Sequence, residues 1–268
     1  MSAASVRRAD AARRTVIEAA VAAGTCHIGS SLSIVDVLAV LYADVLPRGD
    51  GAHRFLLSKG HAASALYATL AHDGTLDPDA VVAGYCADGG AYAGHPERTV
   101  PGVEMVGGSL GHGPAIAVGC ALADRHAARG RRTFCLVGDG ECNEGSVWEA
   151  VALAGQLRLA DLTLIVDANG LQGLDRTAAI LDREPLGPKL EAFGWEVASV
   201  DGHDHEALAA ALTARGDRPR AVVARTTKGF GVSFMEDELL WHYKPLKPED
   251  RAAVLSELDR RAAAGALA

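Results

Sequence analysis

Apolar residues in this chain alternate between short continuous runs and helix-spaced patterns. Two runs, at residues 134–137 and 162–166, are separated by a stretch of helical spacing that follows Gly138-Asp139-Gly140. Short apolar runs bounded by glycine and polar residues are typical of buried strands, whereas a 3.6-residue spacing indicates a helix with one buried face. The segment therefore predicts a strand, a crossover helix and a second, parallel strand, which is the unit of an α/β fold.

The remaining pattern predicts further elements on both sides of this unit. A short buried strand begins at Arg54 and leads into a helix that starts at Gly60 and His61. Main-chain N–H groups at such a helix start, with Lys59 and His61, would form a pocket for an anion. Helices are also expected at residues 6–23 (closed by Gly24), 34–42 (capped by Ser33), 115–124 and 251–266, and a buried strand at 220–226.

Polar residues follow both strands of the central unit. Asp139 comes directly after the first strand, and Asn169 follows the second, 30 residues later. Because parallel strands joined by a crossover helix end at the same edge of the sheet, about 4.8 Å apart, the two side chains can converge. Asp-Gly and Asn-Gly pairs are individually typical of turns, but together at this spacing they predict an oxygen site for Mg²⁺ holding a diphosphate.

Composition limits the classes of partner. The net charge of −8 and the pI near 5.7 leave no broad basic field, so we expect neither nucleic acid nor a membrane surface as a partner. No segment approaches the roughly 18 apolar residues of a membrane span. With 49% hydrophobic residues, residues 1–268 can form one large α/β domain with a substantial core.

The cysteines indicate the compartment. There are five, an odd number, and none has the CxxC spacing of a zinc site. Reduced thiols in the cytoplasm are the expectation, rather than disulfides. Cys26, beside His27, is interpreted as a small packing residue, although its position also allows a reactive thiol.

The residues around the Asp139 turn resemble a known family. Gly138-Asp139-Gly140-Glu141 is followed by Glu144-Gly145-Ser146-Val147-Trp148-Glu149-Ala150, and Asn169 completes the pattern. This arrangement resembles the thiamine diphosphate signature, and the residues around it resemble those of the diphosphate-binding half of transketolases. The resemblance implies an α/β fold with a mostly parallel sheet and helices on both faces. It also implies Mg²⁺, or Ca²⁺ or Mn²⁺ in its place, held by Asp139, Asn169 and the main-chain carbonyl of Leu171.

The same resemblance assigns four catalytic residues. His27, in a glycine-containing loop, would face the reacting carbon of the substrate, and His95 in Gly94-His95-Pro96-Glu97 would touch the first hydroxyl of the substrate and the cofactor. His242 would face the substrate from a closing loop. Glu144 corresponds to a glutamate near a subunit interface, where it could share protons with its mate, or it is simply an acid at a helix N-terminus.

The resemblance also implies a set of cofactor contacts. Lys59 and His61 in Ser-Lys-Gly-His-Ala would approach the diphosphate, and Lys228 would face it from the opposite side. The main chain of a glycine-rich loop would line the aminopyrimidine. The full cofactor-binding set is Lys59, His61, Gly108, Ser109, Leu110, Gly138, Asp139, Gly140, Glu141, Asn169, Lys228 and His242.

A full-length transketolase continues beyond this pattern. In the family, the glutamate that activates the aminopyrimidine lies on a second, pyrimidine-binding domain, which we do not find in these residues. The resemblance therefore implies the N-terminal subunit of a split transketolase, paired with a C-terminal subunit in a heterotetramer of two chains of each kind. Its reaction would move a two-carbon ketol unit from a ketose to an aldose, with sugars or sugar phosphates as substrates.

Three alternatives remain open from the sequence. A related subunit of a specialised pathway would use a non-standard donor or acceptor. A 2-oxoacid decarboxylase or dehydrogenase α chain would share the Asp139 and Asn169 pair. The Gly-His-Pro-Glu and Ser-Lys-Gly-His motifs argue against this activity. A protein that holds the cofactor only to regulate another chain would not need five histidines in glycine-rich loops. Outside these loops, His203 is interpreted as a capping or packing residue.

Overall fold

The computed structural model describes residues 3–46, 53–265 and 267. The helices are α1 (Ala3–Ala23), α2 (Ile28–Leu32), α3 (Val35–Val40), α4 (Ala63–His72), α5 (Pro78–Gly84), α6 (His112–His126), α7 (Gly145–Gln156), α8 (Thr177–Leu181), α9 (Leu186–Ala192), α10 (His205–Thr213) and α11 (Arg251–Ala263). The strands are β1 (Arg54–Leu57), β2 (Thr133–Gly138), β3 (Leu162–Asp167), β4 (Glu196–Asp201) and β5 (Arg220–Arg225).

The strands form one sheet in the order β1-β2-β3-β5-β4, and every neighbouring pair is parallel. All five carboxyl ends therefore lie at the same edge. In the central pair, Thr133 lies opposite Leu162 and Gly138 lies opposite Asp167. This register places the residues that follow β2 beside those that follow β3, at the edge where ligands of open α/β sheets bind.

Helices cover both faces of the sheet, as predicted. Phe134 and Leu136 of β2 pack into a core with α1, α3, α4, α10 and α11. Cys135 and Val137 of the same strand pack into a second core with α6, α7 and α9. Successive side chains of a strand point to opposite faces, so a strand buried on both sides reads as a continuous apolar run.

The helix predicted at residues 34–42 is present as α3, which begins one residue later, but its predicted cap is wrong. A further short helix, α2, precedes it, and Ile34 occupies the N-cap position of α3 without a side-chain bond. The Ser33 hydroxyl donates to the Ser30 carbonyl at 3.0 Å and to Asp167 Oδ2 at 2.8 Å. A buried carboxylate far away in sequence therefore takes the hydrogen bond that a local cap would have used, because a buried charge needs donors.

The other predicted helices differ mainly in length. α1 ends at Ala23 as predicted, and Gly24 follows it with a left-handed φ of 58°. α6 extends beyond the predicted 115–124 at both ends. α11 ends at Ala263, and Ala266, the last residue of that predicted helix, lies outside the described residues.

Two predictions from composition can be compared with the structure. The five cysteines, Cys26, Cys86, Cys120, Cys135 and Cys142, are free thiols. In the ranges that the structure describes, no helix is both long and apolar enough to cross a membrane.

Candidate active site

A cavity of about 420 Å³ opens at the carboxyl edge of the sheet, above the ends of β2 and β3. Every residue that the sequence assigned to the site lines it, except Ser109 and Lys228. Lys228 lies just behind the lining and contacts it through the main chain of Leu171 and Gln172. Ser109 is exposed, and its hydroxyl lies 3.3 Å from His112 Nε2.

Asp139 and Asn169 converge as their spacing predicted. Asp139 Oδ2 accepts a hydrogen bond from the main-chain N–H of Gly170 at 2.7 Å, and Oδ1 accepts one from Gly140 at 2.8 Å. Asn169 Oδ1 accepts from the N–H of Leu171 at 3.0 Å. These main-chain donors orient the two side chains and leave further lone pairs on each oxygen.

Another acid, Asp167, lies fully buried beneath this pair and was not assigned a role from the sequence. It accepts hydrogen bonds from Ser33, Thr226 and Asn169 and forms an ion pair with Lys59. The Asn169 amide donates from Nδ2 to Asp167 at 2.9 Å, which turns Oδ1 toward Leu171 and the cavity. Asp167 therefore decides which end of the Asn169 amide is available to a cation.

The donor set fits a divalent cation. Burial and the neighbouring charge of Asp167 raise the pKa of Asp139 from 3.8 to about 6, despite the two main-chain donors. A buried carboxylate whose charge is poorly compensated binds a cation favourably. Together with Asn169 Oδ1 and the Leu171 carbonyl, Asp139 offers the hard oxygen ligands that Mg²⁺ and Ca²⁺ prefer.

Lys228 is a second cation of the site and is almost completely buried. Its Nζ donates to the carbonyls of Leu171, at 3.3 Å, and Gln172, at 3.0 Å, and lies 2.8 Å from His242 Nδ1. Burial, and then the charge of Lys59, lowers the pKa of Lys228 from 10.5 to about 8. An incoming anion at this edge would compensate the ammonium group.

Three histidines form a cluster at the mouth of the cavity, and a fourth lies beside it. The ring centroids of His27, His61 and His242 lie 5.1 to 5.5 Å apart, and the ring of His95 lies 6.3 Å from that of His27. His27 adopts a left-handed φ of 70°, an uncommon conformation for a residue with a side chain.

The clustered imidazoles are held neutral. Burial is the main cause of the lowered pKa of His27, His61 and His242, and the pKa of His242 falls to about 3. The charges of Lys228 and Lys59 act in the same direction. Neutral imidazoles at neutral pH can accept a proton from one group and donate one to another, which is the chemistry of a general acid–base site.

The Glu141 side chain links three segments of the cavity wall through hydrogen bonds. Its buried carboxylate accepts from the Ser58 hydroxyl at 2.6 Å and from the N–H groups of Gly111 and Gly138 at 2.9 and 2.8 Å. Burial raises the pKa of this carboxyl, and the three donors oppose that shift. The Glu141 side chain is thus committed to the protein, so only its main chain remains for a ligand.

The turn after β1 differs from the predicted anion pocket. The N–H groups of Gly60 and Ala62 donate within the turn, to the carbonyls of Ser58 and Lys59 at 2.8 and 2.9 Å. The ammonium group of Lys59 is paired with Asp167. Gly60 also approaches the glycine-rich loop so closely that a Cβ atom there would lie 2.7 Å from the N atom of Gly108. The turn therefore supports the loop as well as the cavity.

Tyr243, Leu174 and Ile180 line the cavity but had no assigned role from the sequence. Tyr243 packs edge-on against His242, with ring centroids 4.7 Å apart, and its hydroxyl approaches Gly173. The sequence signal that could have identified Tyr243 as a lining residue was its position directly after His242. Leu174, which is 81% exposed, Leu110 and Ile180 form an apolar rim around the mouth, and the exposed Glu144 lies at the same rim.

Known proteins share this architecture. Residues 4–261 match the family described as "Transketolase, thiamine diphosphate binding domain". The chain is 34% identical to an apulose-4-phosphate transketolase subunit of Phocaeicola vulgatus, over 93% of this chain and 92% of that protein. It is 37% identical to the 6-deoxy-6-sulfo-D-fructose transketolase subunit SqwG of a Clostridium species, over 96% of each.

A solved structure shows the same fold within a longer protein. The transketolase from Leishmania mexicana superposes with a TM-score of 0.89 and 31% identity, over 97% of this chain. The chain spans only 42% of the length of that transketolase. The subunits from Phocaeicola vulgatus and Clostridium, in contrast, are matched over nearly their whole length.

Proposed function

This chain belongs to the transketolase family, and from that premise we propose that it is the N-terminal subunit of a two-chain, thiamine diphosphate-dependent transketolase. It transfers a two-carbon ketol unit from a ketose to an aldose. One observation carries the proposal. The Asp139 and Asn169 oxygens lie at the sheet edge beside Lys228, beneath a cluster of neutral histidines.

The proposed division of labour begins with the diphosphate. Asp139, Asn169 Oδ1 and the Leu171 carbonyl would hold Mg²⁺, which would supply positive charge for the diphosphate. His61 would approach the same group from the cavity lining and Lys228 from behind it, and Lys59 compensates Asp167 beneath it. Gly108 and Leu110 line the cavity on the side proposed for the aminopyrimidine.

The histidines act on the substrate. When bound, thiamine diphosphate supplies the nucleophilic carbon that carries the two-carbon unit. His27, His95 and His242 would orient the hydroxyls of the sugar and move protons to and from their oxygens, because a positioned imidazole can do both.

The partner in this proposal is a C-terminal subunit with the pyrimidine-binding domain. The apolar rim of Leu110, Leu174 and Ile180 supports it, since exposed apolar side chains around a polar cavity mark an interaction surface. Glu144 at the same rim would meet the partner at the interface. Two chains of each kind would form a heterotetramer. The cytoplasmic location predicted from the cysteines stays a prediction.

The reaction class is tested with the reconstituted pair. The two full-length relatives are named for different sugars, so a panel of ketoses, with and without phosphate, is the appropriate set of donors. Each is offered with a short aldose and Mg²⁺-thiamine diphosphate. Ketol transfer from at least one ketose is expected. Decarboxylation of 2-oxoacids without any ketol transfer would assign the alternative activity instead.

Substitutions should separate the residues that serve the substrate from those that serve the cofactor. We expect His27→Ala and His95→Ala to reduce turnover by about 10²–10⁴-fold, the usual effect of removing a positioned proton-transfer group, with cofactor affinity retained. His61→Ala and Lys59→Ala should instead weaken cofactor binding. Calorimetry and steady-state rates on the same preparations provide the comparison. If all four variants weakened only cofactor binding, the division of roles would be wrong.

Cofactor binding should also depend on pH through Lys228. Its pKa of about 8 means that about half of the free sites have already lost this positive charge at pH 8. The diphosphate would raise that pKa again, so binding near pH 8.5 should take up a proton and affinity should fall as the pH increases further. Calorimetry in two buffers of different ionisation enthalpy measures the proton. Lys228→Met is the control, and the uptake should disappear in it.

A further inference from the structure

The turn that carries Lys228 is held from behind by a histidine outside the cavity. Lys228 follows Thr227 in the segment after β5, and its ammonium group contacts the cavity wall at Leu171 and Gln172. On the opposite side of this turn, His203 Nε2 lies 2.8 Å from the main-chain N of Thr227. His203 Nδ1 lies 2.8 Å from Asp36 Oδ2.

The chemistry of these neighbours determines the protonation of His203. A main-chain N–H can only donate, so Nε2 must be an acceptor and carry no proton. Nδ1 then carries the proton and donates it to the Asp36 carboxylate. The imidazole is neutral and has one tautomer that satisfies both partners.

Asp36 is well suited to fix that tautomer. It is fully buried and forms a hydrogen-bonded ion pair with Arg13, with both of its oxygens 2.8 Å from Nη2, and His205 Nε2 lies 3.2 Å from Oδ1. Burial acts to raise the pKa of Asp36, but Arg13 and the two histidines outweigh it and hold the pKa far below its ordinary value. The carboxylate therefore stays ionised and accepts from His203.

Stacking fixes the plane of the ring. The ring of Phe230, from the same turn, lies 3.6 Å from that of His203 with an interplanar angle of 15°. The Arg13 guanidinium lies 5.4 Å from the Phe230 centroid. His203 thus contributes one hydrogen bond and one stacked ring to the turn, which is also bonded through the Gly229 N–H to the Gly29 carbonyl and through the Lys228 carbonyl to the Asp237 N–H, each at 3.0 Å.

We propose that His203 is a positioning residue for the diphosphate site, because its Nε2, fixed as an acceptor by the bond from Nδ1 to Asp36, accepts the Thr227 N–H and so helps to hold Lys228 at the cavity wall. His203 does not line the cavity proposed for substrate and cofactor. The role assigned to Lys228 rests on the proposed function, but the hold of His203 on the turn does not.

Two substitutions each retain one of the two hydrogen bonds of the imidazole and remove the other. In His203→Asn the side-chain NH₂ matches Nδ1 and can donate to Asp36, but nothing reaches Thr227. In His203→Gln the side-chain oxygen matches Nε2 and can accept from Thr227, while the bond to Asp36 is lost. His205→Asn is the matched control, because it also loses a contact with Asp36 but does not touch the turn.

The first readout is amide hydrogen exchange of peptides covering residues 226–236 in the full chain without cofactor. His203→Asn should accelerate exchange there by about fivefold to tenfold, the effect of losing one hydrogen bond. His203→Gln should restore the wild-type rate, and His205→Asn should leave it unchanged even if it lowers the unfolding temperature. Equal acceleration in all three variants, or in none, would overturn the proposal.

The second readout is the affinity for thiamine diphosphate with Mg²⁺, measured by calorimetry on the same chains. We expect about tenfold weaker binding for His203→Asn and near wild-type binding for His203→Gln and His205→Asn. An exchange pattern as predicted with unchanged affinity in all variants would show that the turn is held but that Lys228 does not serve the diphosphate. That outcome would overturn the role of Lys228 and leave the hydrogen-exchange result intact.

Discussion

Asp139→Asn is expected to abolish Mg²⁺-dependent binding of thiamine diphosphate, while the ligand-free chain unfolds at the same or a higher temperature than the wild type. The loss of binding follows because the carboxylate is the only negatively charged ligand in the proposed Mg²⁺ set of Asp139, Asn169 and Leu171. Asn169→Ala should also lose binding, since it removes a second oxygen of this set. Calorimetry with Mg²⁺ and thiamine diphosphate measures the effect.

The stability part of this prediction follows from the raised pKa of Asp139. An acid whose pKa rises from 3.8 to about 6 on folding binds protons more tightly in the folded chain. The contribution of Asp139 to folding stability must therefore fall as the pH increases from about 4 to about 6, and at pH 7 its ionised carboxylate is a cost to the fold. The asparagine removes that charge, although its NH₂ loses one main-chain bond.

Asp182→Asn is the matched control for Asp139→Asn. Asp182 is exposed and borders the neighbouring hollow, outside the cavity. It should change neither binding nor the unfolding temperature. Wild-type affinity in Asp139→Asn would refute the metal assignment. A large drop in its unfolding temperature would show that Asp139 is structural.

The second large effect concerns the isolated chain. We expect no ketol transfer by this polypeptide alone and full activity after it is mixed with a chain that carries a pyrimidine-binding domain. The described residues form one five-stranded sheet, and they provide an edge for the diphosphate end of the cofactor. The carboxylate expected to activate the aminopyrimidine would have to come from the partner, against the apolar rim at the mouth. Weak cofactor binding without the partner is compatible with this proposal.

Two measurements test the need for a partner. Hydrogen–deuterium exchange at C2 of the cofactor reports activation, and ketose consumption reports turnover, for each chain alone and for the mixture. Both should require the mixture. Exchange and turnover at the full rate with this chain alone would place the activating carboxylate in this chain, and the two-subunit proposal would be abandoned. A partner chain with its activating glutamate replaced is the negative control.

Local patterns were sufficient to predict the sheet edge and its main residues. Asp139 and Asn169 meet because two apolar runs and a helical spacing define a parallel pair, and the register of Gly138 with Asp167 then follows. His27, His61, His95 and His242 could be assigned because the residues around them resemble those of the family, and three of these four form the cluster in the cavity. These features depend on residues that are close in sequence or on strand topology.

The features that the sequence did not predict depend on distant partners. Ser33 was expected to cap a helix, but a carboxylate 134 residues away takes its hydroxyl. His203 was interpreted as a capping or packing residue, and stacking on Phe230 agrees with packing, but its link from Asp36 to Thr227 joins three separate segments. The neutral state of the clustered histidines depends on burial and on two lysines, which no local pattern reveals.

Asp167 has a consequence for how the site can change by mutation. Lys59, Ser33, Thr226 and Asn169 come from four segments of the chain, and all of them share this one buried carboxylate. Groups that share one acceptor are not independent, so the effects of replacing two of them do not add. A substitution tolerated in one background can fail in another that already lacks one of these donors. The evolutionary history of any one of these positions is therefore tied to the other three.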